Sequence, residues 1–273
     1  MKTLSIVIPA LDEAVNIPDT LGSIPKHQLR QRGWAVEVLV VDNGSTDGTA
    51  EVAREHGARV LVQPVRGYGN AYKAGFANAQ GDTIATGDAD LTYPFEILPD
   101  LLEFLDSAML DFLSTNRLPG LRGESMSTSH VWGNRALTGM SRFLFSRLPF
   151  NDSQSGMWVF RRQVWTHSRV RSGGMAFSQE FKLAAHVGGF RCGEIAIDYR
   201  PRGGVRKLNS VRDGAQNAAL LLSYRVRNGS GPGPGRIDVG RPNVTANRPH
   251  VSELVALPAH EFPVGGIDRT TVS

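Results

Sequence analysis

The sequence predicts an α/β fold with a mainly parallel, doubly wound sheet. Four short runs of β-branched or apolar residues, at 4–8, 36–41, 59–62 and 83–86, are each followed by a segment that can form a helix. Strands and helices that alternate in this way pair in parallel, because each helix returns the chain to the same edge of the sheet. Polar, acidic turns follow three of these runs, at the edge where open α/β sheets bind ligands.

The predicted helices of the first half have recognisable ends. Ser45 or Asp47 can cap the helix that follows the second run, and Gly57 can end it. Gly81 is expected to close a helix over residues 70–80. The order of strand, loop and helix is therefore locally consistent.

The second half is predicted to be more mixed. After Arg117 we expect a long loop, an amphipathic helix over residues 131–146, and then strands and helices to about Tyr224. From residue 229 a glycine- and proline-rich run breaks all periodicity, so residues 229–273 are expected to be a flexible low-complexity tail. One domain is therefore predicted over residues 1–228.

Composition excludes several classes of protein. The 273 residues are 41% hydrophobic, which is enough for a sizeable core and excludes a largely disordered chain. Cys192 is the only cysteine and the seven histidines show no ligand spacing, so neither a disulfide framework nor a zinc site is indicated. The sequence shows no signal-peptide pattern and no apolar stretch of membrane-spanning length, so a cytoplasmic protein is expected.

Charge is distributed unevenly along the chain. Residues 1–115 carry 8 Lys and Arg against 16 Asp and Glu, whereas residues 116–228 carry 18 against 6. The acidic half suits a metal ion. The basic half suits phosphate or an anionic membrane surface, and although it would also attract nucleic acid, no nucleic-acid partner is expected.

Two carboxylates, Asp88 and Asp90, directly follow the run at residues 83–86. This spacing places both at the carboxyl end of a strand. Two such groups can hold Mg²⁺ or Mn²⁺, whose other ligands would be water and diphosphate oxygens. Because an isolated Asp-x-Asp is usually a solvated turn, the prediction depends on the neighbouring strand ends.

Two further strand ends are acidic. The turn at residues 42–49 can bind a ribose or base edge through Asp42, or it can serve only to cap the following helix. The turn after the first run, at residues 9–13, has the same character. Residues 66–73 then predict a diphosphate cradle before a helix N-terminus. This cradle lacks the third glycine of a dinucleotide site, and no Gly-Lys-Ser/Thr occurs, so hydride transfer and NTPase activity are not supported.

Three motifs in this order resemble the inverting family 2 glycosyltransferases. They are SIVIPALDE at residues 5–13, VDNGSTDGT at residues 41–49 and GDAD at residues 87–90. Segments at 66–75, 116–117, 152–157 and 199–202 are most similar to the dolichyl- or polyprenyl-phosphate mannose and glucose synthases. The resemblance covers about residues 3–222, and it implies the GT-A fold, the Rossmann-like fold of nucleotide-diphospho-sugar transferases.

The resemblance also implies roles for individual residues. Residues 1–115 would bind the nucleotide sugar and the metal, and residues 116–228 the acceptor. Nucleotide-sugar binding is implied for Pro9, Leu11, Asp12, Glu13, Asp42, Gly44, Gly69, Lys73, Asp88, Ala89 and Asn116. Metal binding is implied for Asp88 and Asp90. Catalytic roles are implied for Arg117, Asp152 and Glu180, and acceptor or phosphate binding for Arg135, Arg200, Arg202 and Lys207.

Several of these residues have a second interpretation. Asp152 matches a base or acceptor-positioning carboxylate, but residues 151–153 are also a good helix cap or turn. Glu180 matches an acidic position on the next helix, and its apolar neighbours are also typical of a surface carboxylate beside a core stripe. Residues 200–212 carry several cations and no acid, which favours phosphate binding over a solvated face.

The predicted amphipathic helix mixes large apolar residues with arginines. Residues 131–148 include Trp132, Phe143 and Arg135 among others. Such a helix can lie in an anionic bilayer interface, which would make membrane contact peripheral, or it can pack into the core. Both interpretations stay open.

The motifs and the resemblance together imply a metal-dependent, inverting hexosyltransferase of cell-envelope or glycan biosynthesis. It would move a hexose from GDP-mannose or UDP-glucose to a polyprenyl phosphate. Because that phosphate is largely ionised near neutral pH, Asp152 is expected to orient the acceptor more than to deprotonate it. Two alternatives remain: the same donor chemistry with a soluble or glycan acceptor, and a non-catalytic subunit that binds nucleotide sugars.

Overall fold

A computed structural model describes residues 1–121, 128–202 and 210–228, without the side chains of residues 120–130 and 203–213. The strands are β1 (Lys2–Ala10), β2 (Trp34–Asp42), β3 (Arg59–Val62), β4 (Thr83–Thr86), β5 (Phe112–Leu121), β6 (Trp158–Arg161) and β7 (Cys192–Tyr199). The helices are α1 (Ile17–Gly22), α2 (Lys26–Gln31), α3 (Thr49–Glu55), α4 (Tyr68–Asn78), α5 (Leu98–Ser107), α6 (Thr128–Leu144), α7 (Arg162–His167), α8 (Phe177–Val187) and α9 (Ser210–Asn228). A 3-10 turn at Phe95–Ile97 precedes α5.

These strands form one sheet in the order β3-β2-β1-β4-β6-β5-β7. Strands β1 to β4 are mutually parallel, β5 is parallel to β7, and β6 runs antiparallel between β4 and β5. The predicted mainly parallel α/β sheet is confirmed. The chain order reverses between β1 and β4, which creates a crevice at their carboxyl ends, where such sheets bind ligands.

The sheet is covered on both faces. Ile6, Ile8 and Val40 face a core that includes residues of α1, α2, α3 and α5. Val7 and Val41 face a second core that includes residues of α4, α6, α8 and α9. Because both faces are buried, the strands are continuously apolar and do not alternate with polar residues.

The helix ends differ in part from the prediction. Helix α3 follows Gly48, whose φ is 85°, and Asp47 accepts a hydrogen bond from the Thr49 amide at 3.0 Å. Ser45 does not cap this helix, because its hydroxyl accepts from the amide of Asp12. Gly57, with φ 76°, follows the helix as predicted.

Gly81 does not close a helix, since α4 already ends at Asn78. The backbone at Gly81 instead passes close to β1, since a Cβ on this glycine would lie 2.4 Å from the Ser5 nitrogen. The predicted helix over residues 131–146 corresponds to α6. The predicted tail at 229–273 lies outside the described residues.

The two predicted halves of the chain share one sheet. Strands β1 to β4 come from residues 1–115, and β5 to β7 continue the same sheet from residues 112–199.

In the part of the chain that the structure describes, none of the helices combines the length and apolar character needed to cross a membrane.

Candidate functional site

The loops after β1 and β2 are joined by side chain to backbone hydrogen bonds. Asp12, in a left-handed conformation with φ 50°, accepts from the Thr46 amide at 2.8 Å. The amide of Glu13 donates to the Thr49 hydroxyl at 2.9 Å, and the amide of Ala14 donates to Asp47 Oδ2 at 3.0 Å. These contacts fix the two loops as one wall of the crevice.

The residues implied to bind a nucleotide sugar occupy this wall in different ways. Asp42 is buried, and its Oδ1 accepts from the Ser45 amide at 3.0 Å. Gly44 has φ 86°, and its carbonyl accepts from Arg66 at 2.7 Å. Pro9 pairs with Val41 inside the sheet, and Leu11 and Glu13 are half-buried in the first loop.

The first turn of α4 is covered by residues 171–173. The amide of Asn70 donates to the Gly173 carbonyl at 3.0 Å, and the Lys73 ammonium donates to the Arg171 carbonyl at 3.3 Å. A Cβ on Gly69 would lie 2.6 Å from the Ser172 carbonyl oxygen. These groups of α4 therefore contact another segment of the chain, because glycine permits its close approach, and diphosphate binding at this helix start stays a prediction.

Glu180 holds that covering segment. Its side chain is only 1% exposed, so the interpretation as a surface carboxylate is wrong. Its Oε2 accepts from the amides of Arg171 and Ser172, at 3.1 and 2.7 Å. These are the contacts of a carboxylate that positions a loop.

Asp88 and Asp90 lie together after β4, at the crevice between β1 and β4. Asp90 is 2% exposed, and its Oδ1 accepts from the Thr92 hydroxyl at 2.6 Å. Its Oδ2 accepts from the Arg202 Nε at 2.6 Å. Asp88 Oδ1 accepts from the Tyr68 hydroxyl at 3.1 Å. Burial, followed by the negative charge of Asp90, raises the pKa of Asp88 to about 7.

The two carboxylates fit a hard divalent cation. The raised pKa of Asp88 reflects a local shortage of positive charge, which Mg²⁺ or Mn²⁺ would supply. Within the described ranges no cluster of three or more His, Cys, Asp or Glu side chains could hold a metal. Most of the coordination shell would therefore have to come from water and from a bound diphosphate.

Arg117 and Asp152 form a buried, bidentate ion pair. The Nε of Arg117 donates to Oδ2 at 2.7 Å, and the second guanidinium nitrogen donates to Oδ1 at 2.9 Å. Asn134 and the Gln154 amide also donate to Oδ1. Burial by itself would raise the pKa of Asp152, but the Arg117 charge outweighs it and lowers the pKa well below its usual range.

Asp152 is therefore a poor general base, because its oxygens are occupied and its proton affinity is low. The expectation that it orients more than it deprotonates agrees with this geometry. The turn interpretation is also correct in part, since the Gln154 amide donates to Asp152 at 3.1 Å. Asp152 holds the Arg117 guanidinium, which stacks over the Tyr199 ring at 5.2 Å.

Sequence reasoning missed Lys182 and Glu194. The buried Lys182 ammonium donates to the Asp152 carbonyl at 2.6 Å, and burial lowers its pKa to about 8. Glu194 accepts from the Asn151 and Asp152 amides and from Asn116 Nδ2 at 3.2 Å. Lys182 could have been noticed as a lysine inside the apolar pattern of α8, whereas no sequence motif points to Glu194.

Two tyrosines lie between the acidic pair and the Arg117 ion pair. The rings of Tyr93 and Tyr199 meet edge to face at 5.3 Å, and the Tyr93 hydroxyl accepts from the Gly156 amide at 2.7 Å. A Cβ on Gly156 would lie 2.3 Å from the Tyr68 hydroxyl and 3.6 Å from Asp88 Oδ1. Arg117 and Asp88 therefore belong to one continuous site.

The predicted phosphate-binding cations divide into two groups. Arg202 pairs with Asp90, and Arg200 pairs with Glu96 beside it. Arg135 is exposed on α6, where its guanidinium lies over the Trp132 ring at 5.9 Å. Lys207 lies outside the residues whose structure is described.

Ala89, which is implied to bind the nucleotide sugar, is buried, and its carbonyl accepts a hydrogen bond from the Thr20 hydroxyl at 3.0 Å.

The chain matches a family model and several known proteins. The model of glycosyl transferase family 2 matches residues 5–167. The chain is 38% identical over 224 residues to the low-salt glycan biosynthesis hexosyltransferase Agl6 of Haloferax volcanii, with 81% of this chain and 53% of that protein covered. It is 32% identical over 212 residues to a dolichyl-phosphate hexose transferase of the same organism, with 78% and 89% covered. The chain thus spans about half the length of the first relative.

A solved structure shows the same fold. It is glucosyl-3-phosphoglycerate synthase from Mycobacterium tuberculosis in complex with Mn²⁺, UDP and glucosyl-3-phosphoglycerate, with a TM-score of 0.60 and 24% identity. The match covers 86% of this chain and 82% of that chain. The implied GT-A fold is confirmed. The family model covers more than half of the chain and two relatives exceed 30% identity, so the chain belongs to glycosyl transferase family 2.

Proposed function

We propose that this family 2 glycosyltransferase moves a hexose from GDP-mannose or UDP-glucose to a polyprenyl phosphate, with inversion. The observation that carries the proposal is the buried pair of carboxylates Asp88 and Asp90 at the crevice between β1 and β4, where Asp90 also binds the cation Arg202. A relative named as a dolichyl-phosphate hexose transferase supports the lipid-linked acceptor.

Asp88 and Asp90 would hold Mg²⁺ or Mn²⁺ against the donor diphosphate. When bound, the ion neutralises charge on the leaving nucleoside diphosphate. Asp42 and the loops after β1 and β2 would then contact the nucleoside. Since binding the ion requires charged carboxylates, the raised pKa of Asp88 makes proton release part of binding.

The transfer needs no base in the chain. An oxygen of the acceptor phosphate attacks the anomeric carbon, the bond from that carbon to the diphosphate oxygen breaks, and the electron pair leaves with the nucleoside diphosphate. A phosphate monoester already carries negative charge near neutral pH, so orientation is the main requirement. Arg117, held by Asp152, supplies a fixed positive charge beside the site, and Arg202 can contact phosphate once it leaves Asp90.

A donor and acceptor panel tests the proposal. Radiolabelled GDP-mannose or UDP-glucose is incubated with polyprenyl phosphate, with dephosphorylated polyprenol, or with soluble sugars and phosphoglycerate, and products are partitioned into organic and aqueous phases. Label is expected in the organic phase only with polyprenyl phosphate. Label in aqueous products alone would overturn the lipid acceptor, and transfer to none of them by folded protein would favour a non-catalytic binding subunit.

A further inference from the structure

Helix α6 carries an exposed apolar stripe on the side away from the site. The stripe consists of Trp132, Ala136, Gly139 and Phe143, and we call it the α6 stripe. The spacing of four, three and four residues places these positions on one face of a helix. Trp132 is 66% exposed and Phe143 is 89% exposed. Two large aromatic side chains exposed to water, about three turns apart on one face of a helix, are unusual for a surface without a partner.

Helix α9 carries a second stripe with the same spacing. It consists of Ala215, Ala219, Leu222 and Val226, and we call it the α9 stripe. Leu222 is 55% exposed and Val226 is 87% exposed. The two helices pack against each other, and the rings of Phe145 and Tyr224 meet at 6.0 Å between them. Two neighbouring helices thus leave apolar faces in water.

The charges around these stripes are mainly positive. Residues 128–151 contain Arg135, Arg142 and Arg147 and no Asp or Glu. Helix α9 contains Arg212, Arg225 and Arg227 against one acid, Asp213, near its start. Apolar faces with flanking arginines match the boundary of an anionic bilayer, where aromatic rings enter the headgroup region and guanidinium groups contact lipid phosphates. The Arg135 guanidinium lies over the Trp132 ring, an arrangement that suits this boundary.

The opposite faces of both helices contact the candidate site. Asn134 of α6 donates to Asp152 at 2.7 Å, and Thr138 donates to the Ser153 hydroxyl at 3.1 Å. Gln154 donates to Asn217 of α9 at 3.4 Å. A bilayer beneath the stripes would therefore lie directly across α6 and α9 from residues 152–154.

We propose that the α6 and α9 stripes, with their flanking arginines, form a docking surface for an anionic membrane. A second copy of this chain fits the surface less well, because its arginines would meet arginines. A nucleic acid would use the arginines but leave the stripes in water. The surface is inferred from its own residues, and its binding is measured without donor or acceptor, so its test is separate from that of the proposed transfer.

Sedimentation of the full chain with vesicles tests this surface. Phosphatidylcholine vesicles with phosphatidylglycerol as the anionic component are compared with pure phosphatidylcholine vesicles. Binding is expected only to the anionic vesicles and is expected to weaken as salt is added. Phe143→Ser with Val226→Ser should weaken it by ~tenfold or more, and Arg142→Gln with Arg227→Gln should weaken it to a similar degree. Matched controls, Val62→Ser with Met109→Ser and Arg30→Gln with Arg54→Gln, change exposed residues elsewhere and should bind as wild type does.

Fluorescence identifies the face that enters the lipid. Brominated lipid should quench part of the tryptophan emission, and Trp132→Phe should remove that quenched part while vesicle binding persists. Absence of binding to anionic vesicles, equal binding to neutral vesicles, or unchanged binding of the Phe143→Ser and Val226→Ser protein would overturn the proposal. A dimer in sedimentation velocity that the same two substitutions dissociate would instead assign the face to contact between two copies, and would overturn it as well.

Discussion

Arg202 and Asp90 are 112 residues apart in the sequence, yet the Nε of Arg202 donates to Asp90 Oδ2 at 2.6 Å. The guanidinium supplies part of the positive charge that the buried pair Asp88 and Asp90 lacks. A divalent ion that binds Asp90 as proposed would therefore exchange with Arg202, and this contact is where the proposed metal site can be tested.

Substitution of Arg202 should separate metal binding from transfer. In Arg202→Gln, Mn²⁺ without nucleotide should bind several-fold more tightly, because the competing cation is gone, while the KM for the acceptor should rise because a phosphate contact is lost. Calorimetry and steady-state kinetics measure the two effects. Arg200→Gln is the matched control for Mn²⁺ binding, since Arg200 pairs with the exposed Glu96. Equal Mn²⁺ affinity in all three proteins would contradict the exchange.

Asp90→Asn should remove metal-dependent transfer while the fold survives. The neutral side chain keeps its shape and the contact with Thr92, but loses charge for the ion, so turnover should fall by about a hundredfold or more. Titration calorimetry with donor and Mn²⁺ should show weakened binding. Asp19→Asn, on the exposed side of α1, serves as the control. Unchanged turnover, with wild-type contamination excluded, would remove the metal assignment.

Glu180 distinguishes a positioning role from a catalytic one. Glu180→Gln can still accept the amides of Arg171 and Ser172, so activity should fall less than about tenfold. Loss of a general base would instead cost about a hundredfold or more. Glu180→Ala should loosen residues 171–173, which amide hydrogen exchange would detect. A Gln variant as inactive as the Ala variant, with normal exchange, would restore a chemical role.

Lys182 should make stability depend on pH in the alkaline range. Burial lowers its pKa to about 8 from an ordinary value of 10.5, so between these values the unfolded chain binds more protons than the folded one. The free energy of unfolding contributed by this group should therefore increase as pH rises from about 8 to about 10.5, by up to about 3 kcal/mol.

Urea unfolding of wild type and Lys182→Met at a series of pH values measures this difference. The free energy of unfolding of Lys182→Met minus that of wild type should decrease as the pH rises from about 8 to about 10.5. Lys26→Met, at the start of α2, controls for a general effect of lysine removal. If the free energies of unfolding of wild type and Lys182→Met depend on pH in the same way, the pKa of Lys182 is not lowered in the folded protein.

Residues 229–273 should be dispensable for chemistry. Their composition cannot bury a core, and every proposed site residue precedes Asn228. A chain truncated after Asn228 should keep kcat and KM within about twofold of the full chain. A folded but inactive truncated chain would show that the tail contributes to the site or to the path of the acceptor.

Much of the first half could be predicted because its information is local. Strand runs such as 83–86 and the turn chemistry of residues 87–90 depend on neighbours in the sequence, and the structure shows β4 followed by Asp88 and Asp90 as expected. The contacts of Gly69 and Lys73 with residues 171–173 could not be predicted, because that segment is distant in the sequence. A glycine-rich helix start looks the same whether a phosphate or another segment of chain approaches it.

The sequence by itself determined the alternation of strands and helices, the acidic strand ends and the family, since each is a pattern of residue types over short distances. Only the tertiary structure decided which charges meet. Insertion of β6 between β4 and β5 brings residues 152–158 beside both Asp88 and Arg117, and β7 brings Glu194 to Asn116. The strand order determines which of these distant residues lie close together. Each buried charge then needs a partner, because an unpaired charge in a protein core is far more costly than a paired one.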